Sequence, residues 1–251
     1  MSDIEIATAF EEVFSKMIVR ISARSISKNM QKYGTGCIIG YVKNPDYELK
    51  AIVVTAGHVI SSSQDEETME WTVERSDLNE RDKRKVIFET PNDNPNGPRA
   101  FYYQKDPRLD IGCIFTNTIC VDGRKLIDLE KDYKPVNLID KRIGIGPGTR
   151  VAWAGFPKTV RKHLGFPQLC YYEGVVAAMV DRNNYPPLYI LDGHNDFGVS
   201  GGPVWAWCDK TSRVELVGII VSYLNDELPG FVFATPIQPL LHYFDTNYPP
   251  K

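Results

Sequence analysis

Beyond residue 17 the apolar positions of this chain fall in short runs rich in β-branched and aromatic residues, each closed by turn residues. That punctuation predicts strands. One series covers 17–23, 36–41, 51–56, 71–74, 86–89, 100–103 and 111–115. A second, after a connector near 126–138, covers 150–156, 171–180, 188–191, 203–207, 216–223 and 230–234. Asn44-Pro45-Asp46, Asn92-Asp93-Asn94-Pro95-Asn96-Gly97, Ile145-Gly146-Pro147-Gly148 and Tyr185-Pro186-Pro187 supply turns between them. Proline presets one backbone angle there, and glycine or asparagine accepts the left-handed one. Two groups of about six strands fit an all-β chain folded into two antiparallel barrels or sandwiches. The ends depart from the pattern. Ile4, Ala7, Phe10, Phe14 and Met17 recur at helical spacing and predict a short amphipathic helix covering one end of a barrel. Residues 236–243, with proline early, predict a short closing helix.

Composition narrows the function classes. A length of 251 residues suits one large all-β domain or two small ones sharing an interface. A formal charge of −3 argues against a general affinity for nucleic acid or anionic membrane. The densest basic run, Arg81-Asp82-Lys83-Arg84-Lys85, has acids around it and is expected to be a solvated loop, as are the polar stretches 61–65 and 76–85. Five cysteines, Cys37, Cys113, Cys120, Cys170 and Cys208, are odd in number and form no C-x-x-C pair, so neither a zinc site nor a disulfide framework is expected. The first residues show no basic region followed by an apolar run, and no apolar stretch approaches membrane-spanning length. A reducing, cytoplasmic location is the expectation.

Candidate chemistry centres on Asp196-Phe197-Gly198-Val199-Ser200-Gly201-Gly202-Pro203. A serine between glycines is free of neighbouring side chains, and the N–H groups of Gly198 and Ser200 can point together as an oxyanion hole. Serine is a weak nucleophile and needs a base. His58 follows the apolar strand Ile52-Val53-Val54-Thr55-Ala56-Gly57, and histidine is the ordinary general base at neutral pH. Asp110 heads the apolar strand Ile111-Gly112-Cys113-Ile114-Phe115, where a partly buried carboxylate needs a partner such as an imidazolium. The order along the chain is His58, Asp110, Ser200.

These residues carry a resemblance to the chymotrypsin-like (trypsin-fold) serine peptidases. Thr55-Ala56-Gly57-His58 resembles their T-A-A-H segment, Asp110-Ile111 their aspartate before an apolar strand, and Gly198-Val199-Ser200-Gly201-Gly202-Pro203 their G-D-S-G-G-P. Val217-Gly218-Ile219-Ile220-Val221-Ser222-Tyr223 with Pro229-Gly230-Phe231-Val232 resembles their G-I-V-S-W strand and P-G-V-Y turn. The resemblance implies two six-stranded antiparallel β-barrels: an extension at 1–17, a first barrel at 18–125 with His58 and Asp110, and a second at 126–251 with Ser200. It implies a serine nucleophile, a histidine base and an orienting aspartate, acting on a polypeptide substrate with no metal and no cofactor.

Two departures matter. Val59 stands where secreted members have cysteine, and Val199 replaces the aspartate that binds a newly cut N-terminus in zymogen-activated members. Activation by clipping is therefore not expected, the turn at Gly198 has lost one tether, and an activating or regulatory protein partner becomes conceivable. With Gly34-Thr35-Gly36-Cys37-Ile38-Ile39 before the histidine strand, the pattern is closer to the disulfide-free bacterial branch that includes the high-temperature-requirement proteases. Those append a peptide-binding module, for which this chain is expected to be too short.

For substrate contact, Ser222, Tyr223 and Leu224 are expected to pair with the substrate backbone as an added strand. By register with the family, His194 falls at the floor of the specificity pocket, and Leu224 replaces a glycine of its wall. A non-tryptic preference for a small, apolar or acidic side chain follows. Two other classes fit parts of the sequence. Gly198-Val199-Ser200-Gly201-Gly202 also satisfies the G-x-S-x-G elbow of α/β-hydrolase esterases. That elbow needs a helix after the serine, and the histidines left for its base are His163, His194 and His242. A binding module that keeps the fold without activity is the other.

Overall fold

The computed structural model describes residues 17–25, 31–43, 49–60, 69–75, 86–88, 99–102, 109–117, 145–181, 187–208, 213–223 and 230–247. The expected N-terminal helix, the connector near 126–138 and the polar stretches at 61–65 and 76–85 lie outside them.

Each of the thirteen apolar runs corresponds to a strand. The first half contains β1 (Ile18–Ser25), β2 (Gln31–Lys43), β3 (Leu49–Ala56), the single turn α1 (Gly57–Ile60), β4 (Met69–Arg75), β5 (Val86–Phe88), β6 (Arg99–Tyr102) and β7 (Ile111–Asn117). These strands form one antiparallel sheet in the order β5-β4-β1-β2-β3-β7-β6. It has seven strands where six were expected, because the runs near 86 and 100 both become strands and occupy its opposite edges. The second half contains β8 (Arg150–Gly155), α2 (Lys158–Leu164), β9 (Cys170–Val180), β10 (Leu188–Asp192), β11 (Pro203–Cys208), β12 (Arg213–Tyr223), β13 (Phe231–Pro236) and α3 (Gln238–Asn247). Its six strands close into a barrel, β10-β13-β12-β11-β8-β9. Register shifts at Ile190/Leu191, Val204/Trp205 and Ile220/Ser222 mark bulges, which bend strands enough for a small sheet to close.

Strand alternation sorts the apolar side chains into three cores. Val19, Ile21, Ile38 and Val53 fill the first half, while Val151, Trp153, Val204 and Val217 fill the barrel. The opposite faces of the same strands meet between the halves: Ile18, Cys37, Ile39, Ile52 and Val54 pack with Ala152, Ala154, Trp205 and Leu216. This explains why β2, β3 and β8 carry continuous apolar runs instead of alternating polar ones; both of their faces are covered. Leu240 of α3 joins the same cluster. Among the described helices, none is long and apolar enough to cross a membrane.

Cys37, Cys113, Cys170 and Cys208 are free thiols, and Cys120 lies outside the described residues. Burial pushes Cys37 far up and Cys113 up to about 12, so neither forms the thiolate that alkylation requires near neutral pH. Iodoacetamide at pH 7.5 is expected to leave Cys37 and Cys113 unmodified in the native protein and to reach both after denaturation. Peptide mapping would refute this burial if either were alkylated in the native state as fast as Cys170, which is only partly buried.

Candidate active site

The sequence places His58 on a short turn that has reason to form where it does. Strand β3 delivers Gly57, and Val59 and Ile60 of α1 bury themselves in the first core, leaving His58 outward with 49% of its side chain exposed. Asp110, the residue just before β7, grips this turn. Its carbonyl accepts the N–H of Gly57 at 2.7 Å, and Oδ1 accepts the backbone N–H of His58 at 2.7 Å. Oδ2 lies 2.6 Å from His58 Nδ1. A carboxylate oxygen only accepts, so Nδ1 carries the donated proton, and in the neutral tautomer that this contact favours the lone pair is on Nε2. Asp110 holds φ +48°, an uncommon value for a non-glycine residue and one that Asp tolerates better than most. Preceding Leu109 is buried, and its carbonyl accepts the Thr235 hydroxyl at 2.6 Å across the two halves.

Ser200 comes from the barrel half, on a turn between two glycines of positive φ, Gly198 at +94° and Gly201 at +87°. The turn is bonded on every side. Gly202 N–H donates to the Val199 carbonyl at 2.8 Å, Gly201 N–H to Ile220 at 2.7 Å, and Thr35 N–H to the Ser200 carbonyl at 2.8 Å. Val199 is fully buried in the barrel core, an apolar plug where the family pattern has a carboxylate. In a trans peptide the N–H points opposite to the preceding carbonyl. The Phe197 carbonyl accepts Lys158 N–H at 2.6 Å on the α2 side, which turns Gly198 N–H away from that helix. The Val199 carbonyl is likewise engaged, which sets Ser200 N–H the other way. Among the described residues neither N–H has a protein acceptor, and both belong to partly exposed residues. Two unspent donors on one turn are what a developing negative charge needs.

His58, Asp110, Gly198 and Ser200 line one cleft of about 550 Å³ between the halves, with Tyr33 and Phe197 on its walls. A His58–Ser200 hydrogen bond is not among those formed between the described residues; catalytic contacts of this kind commonly tighten only around substrate. β11 begins at Pro203, three residues after Ser200, so a strand stands where a nucleophile elbow requires a helix. The esterase alternative fails on that point.

Substrate-contact candidates are distributed unevenly. Ser222 and Tyr223 end β12 and pair with Phe233 and Val232 of β13. On the other side of β12, pairing with β11 stops at Ile219, so among the described strands one edge of 221–223 is open beside the cleft. Leu224 lies outside the described residues. His194 is exposed and packs its ring 6.3 Å from that of Tyr172, which stacks on Trp153; it is not among the described residues lining the cleft. Sequence reasoning missed Thr35 and the tie from α2. The only signal for Thr35 was a hydroxyl residue inside Gly34-Thr35-Gly36, and α2 had none.

Comparisons with known proteins agree with this architecture. The chain resembles the Rv3671c protease of M. tuberculosis in its active form, with a TM-score of 0.59 and 15% identity over 100% of this chain and 88% of that one. It also resembles a serine endoprotease from Yersinia pestis, with a TM-score of 0.57 and 18% identity over 96% of this chain and 65% of the other. At such identities the likeness concerns the fold. A search of curated protein sequences gave no match. A family model described as the trypsin-like peptidase domain matches residues 34–219, and with that match over most of its length the chain belongs to the trypsin-like peptidases.

Proposed function

We propose that this chain is a serine endopeptidase acting through His58, Asp110 and Ser200. The observation that carries the reading is the doubly bonded Asp110–His58 pair, which lines the same cleft as Ser200 and in which a ring donating from Nδ1 is free to accept at Nε2. His58 takes the Ser200 proton as Oγ attacks a peptide carbonyl, and Asp110 steadies the imidazolium that forms. The N–H groups of Gly198 and Ser200 stabilise the oxyanion; His58 then returns the proton to the leaving amine, and water releases the acyl group by the same route. Residues 221–223 would hold the substrate as an extra strand on the open edge of β12. A small, apolar or acidic side chain is the expected preference before the scissile bond.

A fluorophosphonate probe tests this directly. Expected is one covalent tag, on Ser200, lost in both Ser200→Ala and His58→Ala. A folded wild-type protein that takes no tag would favour the binding-module reading, and a tag retained at full rate in His58→Ala would remove histidine from the mechanism.

A further inference from the structure

We propose that the Thr35 hydroxyl is the internal tether that keeps the anion-binding turn formed, in place of the ion pair lost with Val199. The inference rests on the peptidase reading and adds a positioning residue to it. Thr35 sits in the first half, fully buried, and each of its polar atoms is engaged across or beside the interface. Its Oγ1 donates to the Gly198 carbonyl at 2.8 Å and accepts Phe156 N–H at 3.1 Å. Its own N–H donates to the Ser200 carbonyl, and its carbonyl accepts the Thr55 hydroxyl at 2.6 Å.

The consequence follows from peptide geometry. The N–H groups of Gly198 and Ser200 face the cleft only while the carbonyls of Phe197 and Val199 face protein, and between them lies the Gly198–Val199 peptide, whose N–H donates to the Asp196 carbonyl at 3.3 Å. Gly198, at φ +94°, has the freedom to let those peptides rotate, so an external hold is required. Lys158 N–H holds Phe197, and Gly202 N–H holds Val199. The peptide between them is held at its N–H by the Asp196 carbonyl and at its carbonyl by the Thr35 hydroxyl, which reaches Gly198 over 163 residues of sequence and fixes the link between the two donor peptides. The contact is short because the strand can approach closely. A Cβ at Gly34 would come within 3.1 Å of the Ser200 carbonyl oxygen, and one at Gly155 would meet Thr35 Oγ1 at 2.8 Å. This tether is made of groups internal to the two halves and uses no free N-terminus.

Thr35→Val keeps the shape and removes the hydroxyl; Thr35→Ser keeps the hydroxyl and removes the methyl. With the full chain, turnover of N-acetyl-alanine p-nitrophenyl ester and inhibition by a peptide aldehyde ending in alaninal are the readouts. Thr35→Val is expected to lower kcat about 100-fold, near the loss of one oxyanion donor, with KM changed less than about threefold. Aldehyde affinity, which depends on the same oxyanion, should fall in parallel, while Thr35→Ser stays within about threefold of wild type. If Thr35→Val does not fold, Thr35→Ala replaces it. An active wild type with an unaffected, folded Thr35→Val overturns the tether alone, as does a Thr35→Ser variant as impaired as Thr35→Val. A wild type that neither labels nor turns over ester overturns the peptidase reading and the tether with it.

Discussion

Asp110→Asn is expected to lower turnover about 10,000-fold while leaving the fold and KM nearly unchanged. The amide is nearly the same size, and Asn occupies left-handed backbone as readily as Asp, so φ +48° at this position is retained. Its oxygen can still accept His58 N–H, as Oδ1 does at 2.7 Å. The change falls on the other atom. Where Oδ2 now receives the Nδ1 proton at 2.6 Å, an NH₂ group would donate to Nδ1 instead. The ring would then carry its proton on Nε2 and present a donor to Ser200, which is the wrong tautomer for a base. Ester hydrolysis and the rate of fluorophosphonate labelling should fall together, with thermal melting close to wild type. A loss below tenfold in a folded variant would mean that the carboxylate holds the turn in place but does not set the histidine's protonation.

Gly201→Ala should cost stability more than activity, by about 2–5 kcal/mol, the sum of a left-handed backbone penalty and overpacking. Gly201 has φ +87°, and a Cβ there would lie 2.0 Å from the Thr35 carbonyl oxygen and 2.1 Å from Thr55 Oγ1. Neither atom can retreat cheaply. Both belong to the paired strands β2 and β3, and they are hydrogen-bonded to each other at 2.6 Å. Gly165→Ala is the matched control: its φ is +79°, but nothing lies within 4 Å of the added carbon, so only the backbone penalty remains. For a chain of this size the difference should appear as a melting temperature lower by roughly 5–20 °C for Gly201→Ala and by a few degrees for Gly165→Ala. Equal melting temperatures for the two variants would show that the strands move apart readily at this point.

Much of the architecture was legible because it rests on local signals. Short runs rich in β-branched and aromatic residues, with their turn residues, located every described strand from β1 to β13, and the histidine, aspartate and serine each stood near a strand end where a side chain escapes the core. Other features had no local signal. Helix α2, with the sequence Lys158-Thr159-Val160-Arg161-Lys162-His163-Leu164, buries no residue and has no apolar stripe to find. It starts where the Asp196 carboxylate, 37 residues later, accepts Thr159 N–H at 3.2 Å. His194 matched a specificity position by register, and the neighbour the fold gives its ring is that of Tyr172, 6.3 Å away.

By itself, then, the sequence determined the described strand set, the two halves and the three residues of the candidate triad, because strand-forming runs, turn chemistry and motif spacing act over a few residues. Tertiary structure alone decided which peptide groups of the serine turn are spent and which remain as donors. Part of that outcome depends on partners from elsewhere in the chain: Thr35 for the Gly198 carbonyl and Lys158 for that of Phe197. A hydrogen bond spanning 163 residues leaves no periodicity in the chain, so only the fold that closes the gap can reveal it.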